Sequence, residues 1–329
     1  MLIKSYYKMD KNERGQIKKL FFIGLLLLIG ILIFIFSGMN ANNFSFNFPR
    51  RINKIIAIII VSYSIGYSSV VFQTVTNNKI LTPGVMGLDS LYMFIQTVVV
   101  FFFGSRQLAL MSDTLQFLIS AGIMIIASFI LYVLLFKGES RNIYFLILIG
   151  MILGGLFSGL SNFMQVMLDP NEFLILQGKM FASFNNINID LLNICILICL
   201  ICIFITVPDL KKLDVVSLGE HHAVNLGIDY KRLVRKTFII ISVLVSVSTV
   251  LVGPVIFLGI LIASLSREII KGYRHKFMIT GAVFIGCTAL TYSLFIVERI
   301  FNFGTTTSII INLIGGSYFI YLIIKESKV

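Results

Sequence analysis

LFFIGLLLLIGILIFIFS, residues 20–37, holds no charged side chain. A helix needs about 20 mostly apolar residues to cross a bilayer core, with a range of about 17–25. This run meets that length and follows Lys4, Lys8, Lys11, Arg14, Lys18 and Lys19. It is too long for the ~7–15-residue core of a signal peptide, and no A-x-A site follows it. It therefore reads as a first spanning helix behind a basic segment, 1–19.

The rest of the 329-residue chain agrees. It is 57% hydrophobic and 13% charged, with a mean hydropathy of +0.96. A soluble domain is usually about 45–50% apolar and about 25% charged, so water cannot be the only solvent here. Further apolar segments fall at 52–75, 88–103, 114–136, 143–167, 189–207, 278–297 and 306–324. The stretch 237–266 is interrupted at Gly253-Pro254 and splits into 237–252 and 255–270. Pro254 then falls at a helix start, where its missing N–H costs little. The expectation is one all-α polytopic membrane domain, 1–329, of about ten helices.

The net charge of +12 does not indicate nucleic acid, because the charges sit in short loops between apolar spans. With the N-terminus in the cytoplasm, the inside segments (1–19, 76–87, 137–142, 208–236, 267–277 and 325–329) carry 21 Lys and Arg, and the outside segments carry 6. That asymmetry places both termini in the cytoplasm. Two polar segments stand out: the outside loop 168–188 and the inside loop 208–236, the longest and most charged.

Chemistry leaves little trace. Gly178-Lys179 resembles the end of a P-loop, but Phe173 and Met180 break the G-x-x-x-x-G-K-[ST] pattern. Any ATP must be bound by another subunit. Cys195, Cys199 and Cys202 share a helix face without His, Asp or Glu beside them, which reads as small hydrophobes packed in a core rather than metal ligands. The pair His221-His222 beside Glu220 cannot share a helix face. No nucleophile–base pair is present, so a membrane-embedded enzyme is disfavoured. Charge is nearly absent from the spans. Proton- or ion-coupled carriers place ionisable residues there, so a pathway driven from outside the bilayer is favoured over an ATPase-independent secondary transporter or channel.

Small residues mark close helix approach. Gly150-x-x-x-Gly154 and Gly155-x-x-x-Gly159 overlap on one helix. This pattern serves packing within a subunit or contact with a second one. In the inside loop, Leu218, Ala223 and Leu226 recur between charges ahead of Gly227. They predict a short amphipathic helix ending at Gly, lying on headgroups or in a partner groove.

Taken together, these residues resemble the FecCD family, the permease subunits of iron-chelate ABC importers, which includes the vitamin B12 importer permease. The similarity runs from about residue 47 to 325. The family's L-G-E-x-x-A-x-x-L-G matches Leu218, Gly219, Glu220, Ala223, Leu226 and Gly227. Its G-P-[IV]-x-F-x-G matches Gly253, Pro254, Val255, Phe257 and Gly259, followed by Arg267. Asn78, Pro83 and Gly87 match the motif after helix two, and LIGGSYFIYLI, with Gly315 and Gly316, matches the closing helix. The chain departs from the family at Ala263-Ser264, where Pro-His is frequent. It departs again at Asn47-Phe48-Pro49-Arg50, where the first Arg of R-x-P-R is missing and Arg51 stands as its substitute.

The resemblance implies a type II ABC importer permease fold in a bacterial cytoplasmic membrane, with no catalysis and no cofactor or metal of its own. It implies that Arg50, Arg51 and Arg299, on the outside, dock acidic residues of an extracytoplasmic siderophore-binding protein. It implies that about 214–227 forms a coupling element against one of two ATP-binding subunits. A second permease copy or paralogue would complete the pathway, with Gly150, Gly154, Gly253, Pro254, Gly315 and Gly316 in helix packing or pathway positions. The DPNEF and QGK-x-FASFNN stretches resemble the subgroup handling catecholate-type siderophores.

Overall fold

A computed structural model describes residues 11–39, 43–110, 112–136, 143–185 and 187–326. Part of the predicted cytoplasmic segments, 1–10, 137–142 and 327–329, lies outside the described residues.

The chain is all-α. Its helices are α1 (Lys11–Phe36), α2 (Phe44–Val75), α3 (Leu88–Leu110), α4 (Asp113–Phe136), α5 (Ile143–Val166), α6 (Pro170–Met180), α7 (Ile189–Thr206), α8 (Leu210–Val216), α9 (Glu220–Asn225), α10 (Tyr230–Val252), α11 (Leu258–Ile270), α12 (His275–Arg299) and α13 (Thr307–Glu326). The predicted apolar segments fall on helices, except that 255–270 becomes helical only at Leu258. Seven of the helices, among the described residues, are long and apolar enough to cross a membrane. The others fall short for visible reasons. α3 breaks at Gly104, which has φ 75°. α11 has 13 residues, about 20 Å of rise against a hydrocarbon core of about 30 Å.

α2 is the hub: α7, α10, α11 and α12 pack around it. Its lower half is buried almost all round, while α1 lies outermost against α12 with Phe21, Phe22 and Leu28 exposed. Lipid is as apolar as leucine, so helices in a bilayer associate through close backbone approach rather than through hydrophobic drive. Such approach is visible where Gly66 of α2 faces Val283 N at 3.4 Å and Gly286 of α12 faces Ser62 at 3.1 Å, measured from the Cβ each glycine lacks. Hydroxyls and amides tie the remaining helices. Gln96 of α3 accepts from Gln116 of α4 at 3.0 Å and from Lys179 of α6 at 3.3 Å, and Thr97 meets Ser161 of α5 at 2.7 Å.

Three expectations change. The segment 76–87, predicted as a loop at the cytoplasmic surface, rises along α5 and ends with Gly87 against Gly154, the midpoint of that helix. Thr82, Pro83, Met86 and Gly87 are buried there, as irregular backbone inside a membrane protein must be. Pro254 does not start a helix. Gly253 has φ 100°, a value open to glycine and strained for other residues, and the chain stays non-helical until Leu258. Finally, the predicted outer loop 168–188 contains α6. Asp169 at the N-cap, Pro170 at the first turn and Glu172 behind it were the available start signals.

Candidate functional sites

Two sites sit at opposite ends of α12. At its C-terminal end, α12 meets the start of α2 and the end of α1. An open cavity of about 970 Å³ lies there, and its rim carries Arg50, Arg51, Lys54, Glu298 and Arg299. The four cations have different duties. Arg51 is half-buried and donates from Nη1 to the carbonyls of Phe34, Ile35 and Ser37 at 2.6, 2.7 and 2.8 Å. These are C-terminal carbonyls of α1 that have no helical partner, so Arg51 acts as a cap. Its Nη2 also lies 3.9 Å from Glu298, which Lys54 grips at 2.5 Å. Arg299 is exposed and donates to the Ser37 carbonyl. Arg50 is exposed with its guanidinium 3.9 Å above the Phe46 ring. The sequence reading grouped Arg51 with Arg50 and Arg299. In the structure Arg51 turns its Nη1 into the chain, while Arg50 and Arg299 are exposed.

The other site is an elbow built of α8 and α9. The sequence predicts a short amphipathic helix ending at Gly227. Gly219, at φ 104°, instead breaks the segment into two. The α9 end follows the expectation. Gly227, at φ 80°, donates to Val224 O at 2.9 Å, and Ile228 donates to Ala223 O at 3.0 Å. This pair of bonds is a Schellman closure. Ala223 is fully buried with Val216 and Leu233 beneath it, and Leu218, Val224 and Leu226 are 61%, 53% and 65% exposed. Glu220 is exposed beside them. A short helix with its small residue inward and its leucines outward is an unfilled apolar knob.

The elbow is fastened to the bundle by residues the sequence reading passed over. Asp214 of α8 accepts from the His275 main-chain N–H at 2.6 Å and is 2.8 Å from its Nδ1. The His275 Nε2 is 2.8 Å from Thr74 Oγ1 of α2. Asp209, just before α8, is paired with Lys212 at 2.7 Å and with Lys236 of α10. His275 belongs to no motif in the sequence. Its partner lies 61 residues away, a distance that no local pattern encodes.

The glycine stripes divide. A Cβ on Gly150 or Gly154 would stand 2.8 Å from Met86 Cα or 2.9 Å from Gly87 Cα, and one on Gly315 would stand 2.7 Å from Phe257. These three serve packing within the chain. Gly155, Gly159 and Gly316 meet nothing within 4 Å among the described residues. Gly253 packs on Ala182 of the outer segment at 3.1 Å, next to Pro254. Cys195, Cys199 and Cys202 are buried against the core, with Cys199 Sγ 3.6 Å from Ser64 Oγ.

Comparison with known proteins fits this arrangement. The petrobactin import system permease protein YclO of Bacillus subtilis is 50% identical over 316 residues, 96% of this chain and 99% of that protein. The petrobactin import system permease protein FatC of Bacillus anthracis is 36% identical over 84% of this chain and 78% of its own length. An inward-facing structure of a metal-chelate type ABC transporter superposes with a TM-score of 0.81 at 25% identity, covering 94% of this chain and 99% of its own. This is the helical architecture of an ABC importer permease, and the protein is an integral membrane protein. A model of the FecCD transport family matches residues 21–325, and the chain belongs to that family.

Proposed function

We propose that this chain is the translocation subunit of an ABC importer that carries a ferric siderophore across the bacterial cytoplasmic membrane. Both termini lie in the cytoplasm. A separate ATPase pushes the elbow and an extracytoplasmic binding protein docks on the opposite rim. The cargo is a catecholate-type chelate, read from the outer segment. Relatives at 50% and 36% identity are named for petrobactin import.

The observation that carries this reading is the placement of α12. Its first residue, His275, is held by the elbow, and its last, Arg299, lies on the cationic rim. A 25-residue helix is about 37 Å long and transmits a push as one body. Arg50 and Arg299 are the exposed guanidiniums there, and this planar fork suits partner carboxylates. Arg51 positions the rim by capping α1. Leu218, Val224 and Leu226 fit an apolar cleft on an ATPase, with Gly219 and Gly227 setting their angle. Gly155, Gly159 and Gly316 face a second permease copy or paralogue, and the substrate passes between the two.

The test is docking affinity. Arg50→Glu and Arg299→Glu in the assembled importer weaken binding-protein association about tenfold or more, and weaken its salt dependence. Unchanged affinity for both refutes the rim as the docking site.

A further inference from the structure

Two interruptions of the α-helical chain meet inside the bundle. One is the buried arm that ends at Gly87; the other is the break at Gly253–Ile256. Between them, flanked by α2 and α10, lies a cavity of about 30 Å³, more than the ~10–15 Å³ that a single water needs. Its lining brings together the Asp89 carboxylate and the hydroxyls of Ser68, Ser69, Thr82 and Thr249. Asp89 follows Gly87 by two residues, and Gly87 rests on the midpoint of α5, so the carboxylate sits near mid-depth.

A carboxylate at that depth is costly unless it is neutralised. The first turn of α3 favours its ionised form through the helix dipole. Thr249 Oγ1 donates to Asp89 Oδ1 at 3.3 Å, but among the described residues no Lys, Arg or His lines the cavity. Ser68 is fully buried, borders the cavity, and its Oγ has no hydrogen-bond partner. The charge and the orphaned oxygen share one requirement.

We propose that this cavity binds one small monovalent cation, Na⁺. The donors are all hard oxygens, with neither sulfur nor imidazole among them, which suits an alkali ion over a transition metal. One carboxylate matches one positive charge. Mg²⁺ would keep several waters, for which there is no room. The ion ties the carboxylate on α3 to hydroxyls on α2, α10 and the rising arm. It thus sits beside two breaks in the helical chain, the kind of mid-membrane place where irregular backbone holds ions in transporter folds. Its role here is to set the stability of that junction, and it stands independently of the importer reading.

The experiment is thermal unfolding of the full-length protein in lipid nanodiscs, titrated with NaCl, KCl or choline chloride at matched ionic strength. NaCl at tenfold over its dissociation constant raises the Tm by about 2–4 °C relative to choline. Asp89→Asn removes that difference. Thr249→Val and Ser68→Ala, which keep the carboxylate, shift the half-saturating NaCl upward several-fold; these variants carry the test if Asp89→Asn does not fold. Equal Tm values in all three salts overturn the site. So does a Tm that responds to pH alone, which makes a proton the counter-charge, or an unmoved NaCl midpoint in both hydroxyl variants.

Discussion

Asp214 Oδ1 lies within hydrogen-bonding distance of two nitrogens of a single residue, the main-chain N of His275 at 2.6 Å and its Nδ1 at 2.8 Å. One bond caps the start of α12 and the other fixes the imidazole, whose far nitrogen reaches Thr74 on α2. The elbow is thus joined to two long helices by one carboxylate. A motion imposed on α8 reaches α12 through hydrogen bonds with no slack.

Asp214→Asn weakens the link at both nitrogens. In a reconstituted importer it lowers siderophore uptake per ATP hydrolysed about tenfold, within the usual range of coupling energies. The check is simultaneous measurement of uptake and phosphate release. Unchanged stoichiometry rules out Asp214 as the joint.

Gly227 and Gly219 carry left-handed backbone with no neighbour near the missing Cβ. The cost of a side chain there is therefore conformational. Gly227→Ala destabilises the α9 closure by about 1–2 kcal/mol and lowers affinity for the ATPase without disturbing the membrane bundle. Weaker pull-down of the ATPase by the detergent-solubilised variant, with an unchanged Tm of the main transition, is the expected result.

Arg51 and Arg299 separate by experiment. Arg51→Ala removes the side-chain donor from the Phe34 and Ile35 carbonyls of α1, leaves Ser37 to Arg299, and weakens the brace on Glu298. It lowers thermal stability by about 1–3 kcal/mol, the cost of stranding part-buried polar groups. Arg299→Ala, on an exposed side chain, leaves the Tm nearly unchanged. Equal losses in the two variants contradict the division of labour.

Gly154 and its neighbour Gly155 predict opposite outcomes. A side chain at Gly154 overlaps the Gly87 backbone, which cannot give way, and Gly155 faces open space. Gly154→Val abolishes the folded chain. Gly155→Val leaves the chain folded and impairs assembly with the second permease subunit, read by light scattering in detergent.

Much of this was legible in the residues, because membrane insertion rests on local apolar content. The seven membrane-length helices follow from runs of Leu, Ile and Phe, and Gly227 announces the end of α9. Three things were not legible. The rise of 76–87 to mid-depth depends on Gly150 and Gly154, over sixty residues away, which admit the arm. Arg51 looks like Arg50 in sequence; only the proximity of the α1 C-terminus turns it into a cap. Asp89, in the second position of an apolar helix, reads as an ordinary N-terminal acid until the arm carries it inward.

The most direct test of the account is uptake of ferric siderophore by proteoliposomes containing this permease and its partner subunits, with the ATPase present or omitted. The account predicts uptake only when ATPase, ATP and binding protein are all supplied, and loss of it when Asp214 is changed to Asn. Uptake by the membrane chain alone, driven by an ion gradient, would contradict it.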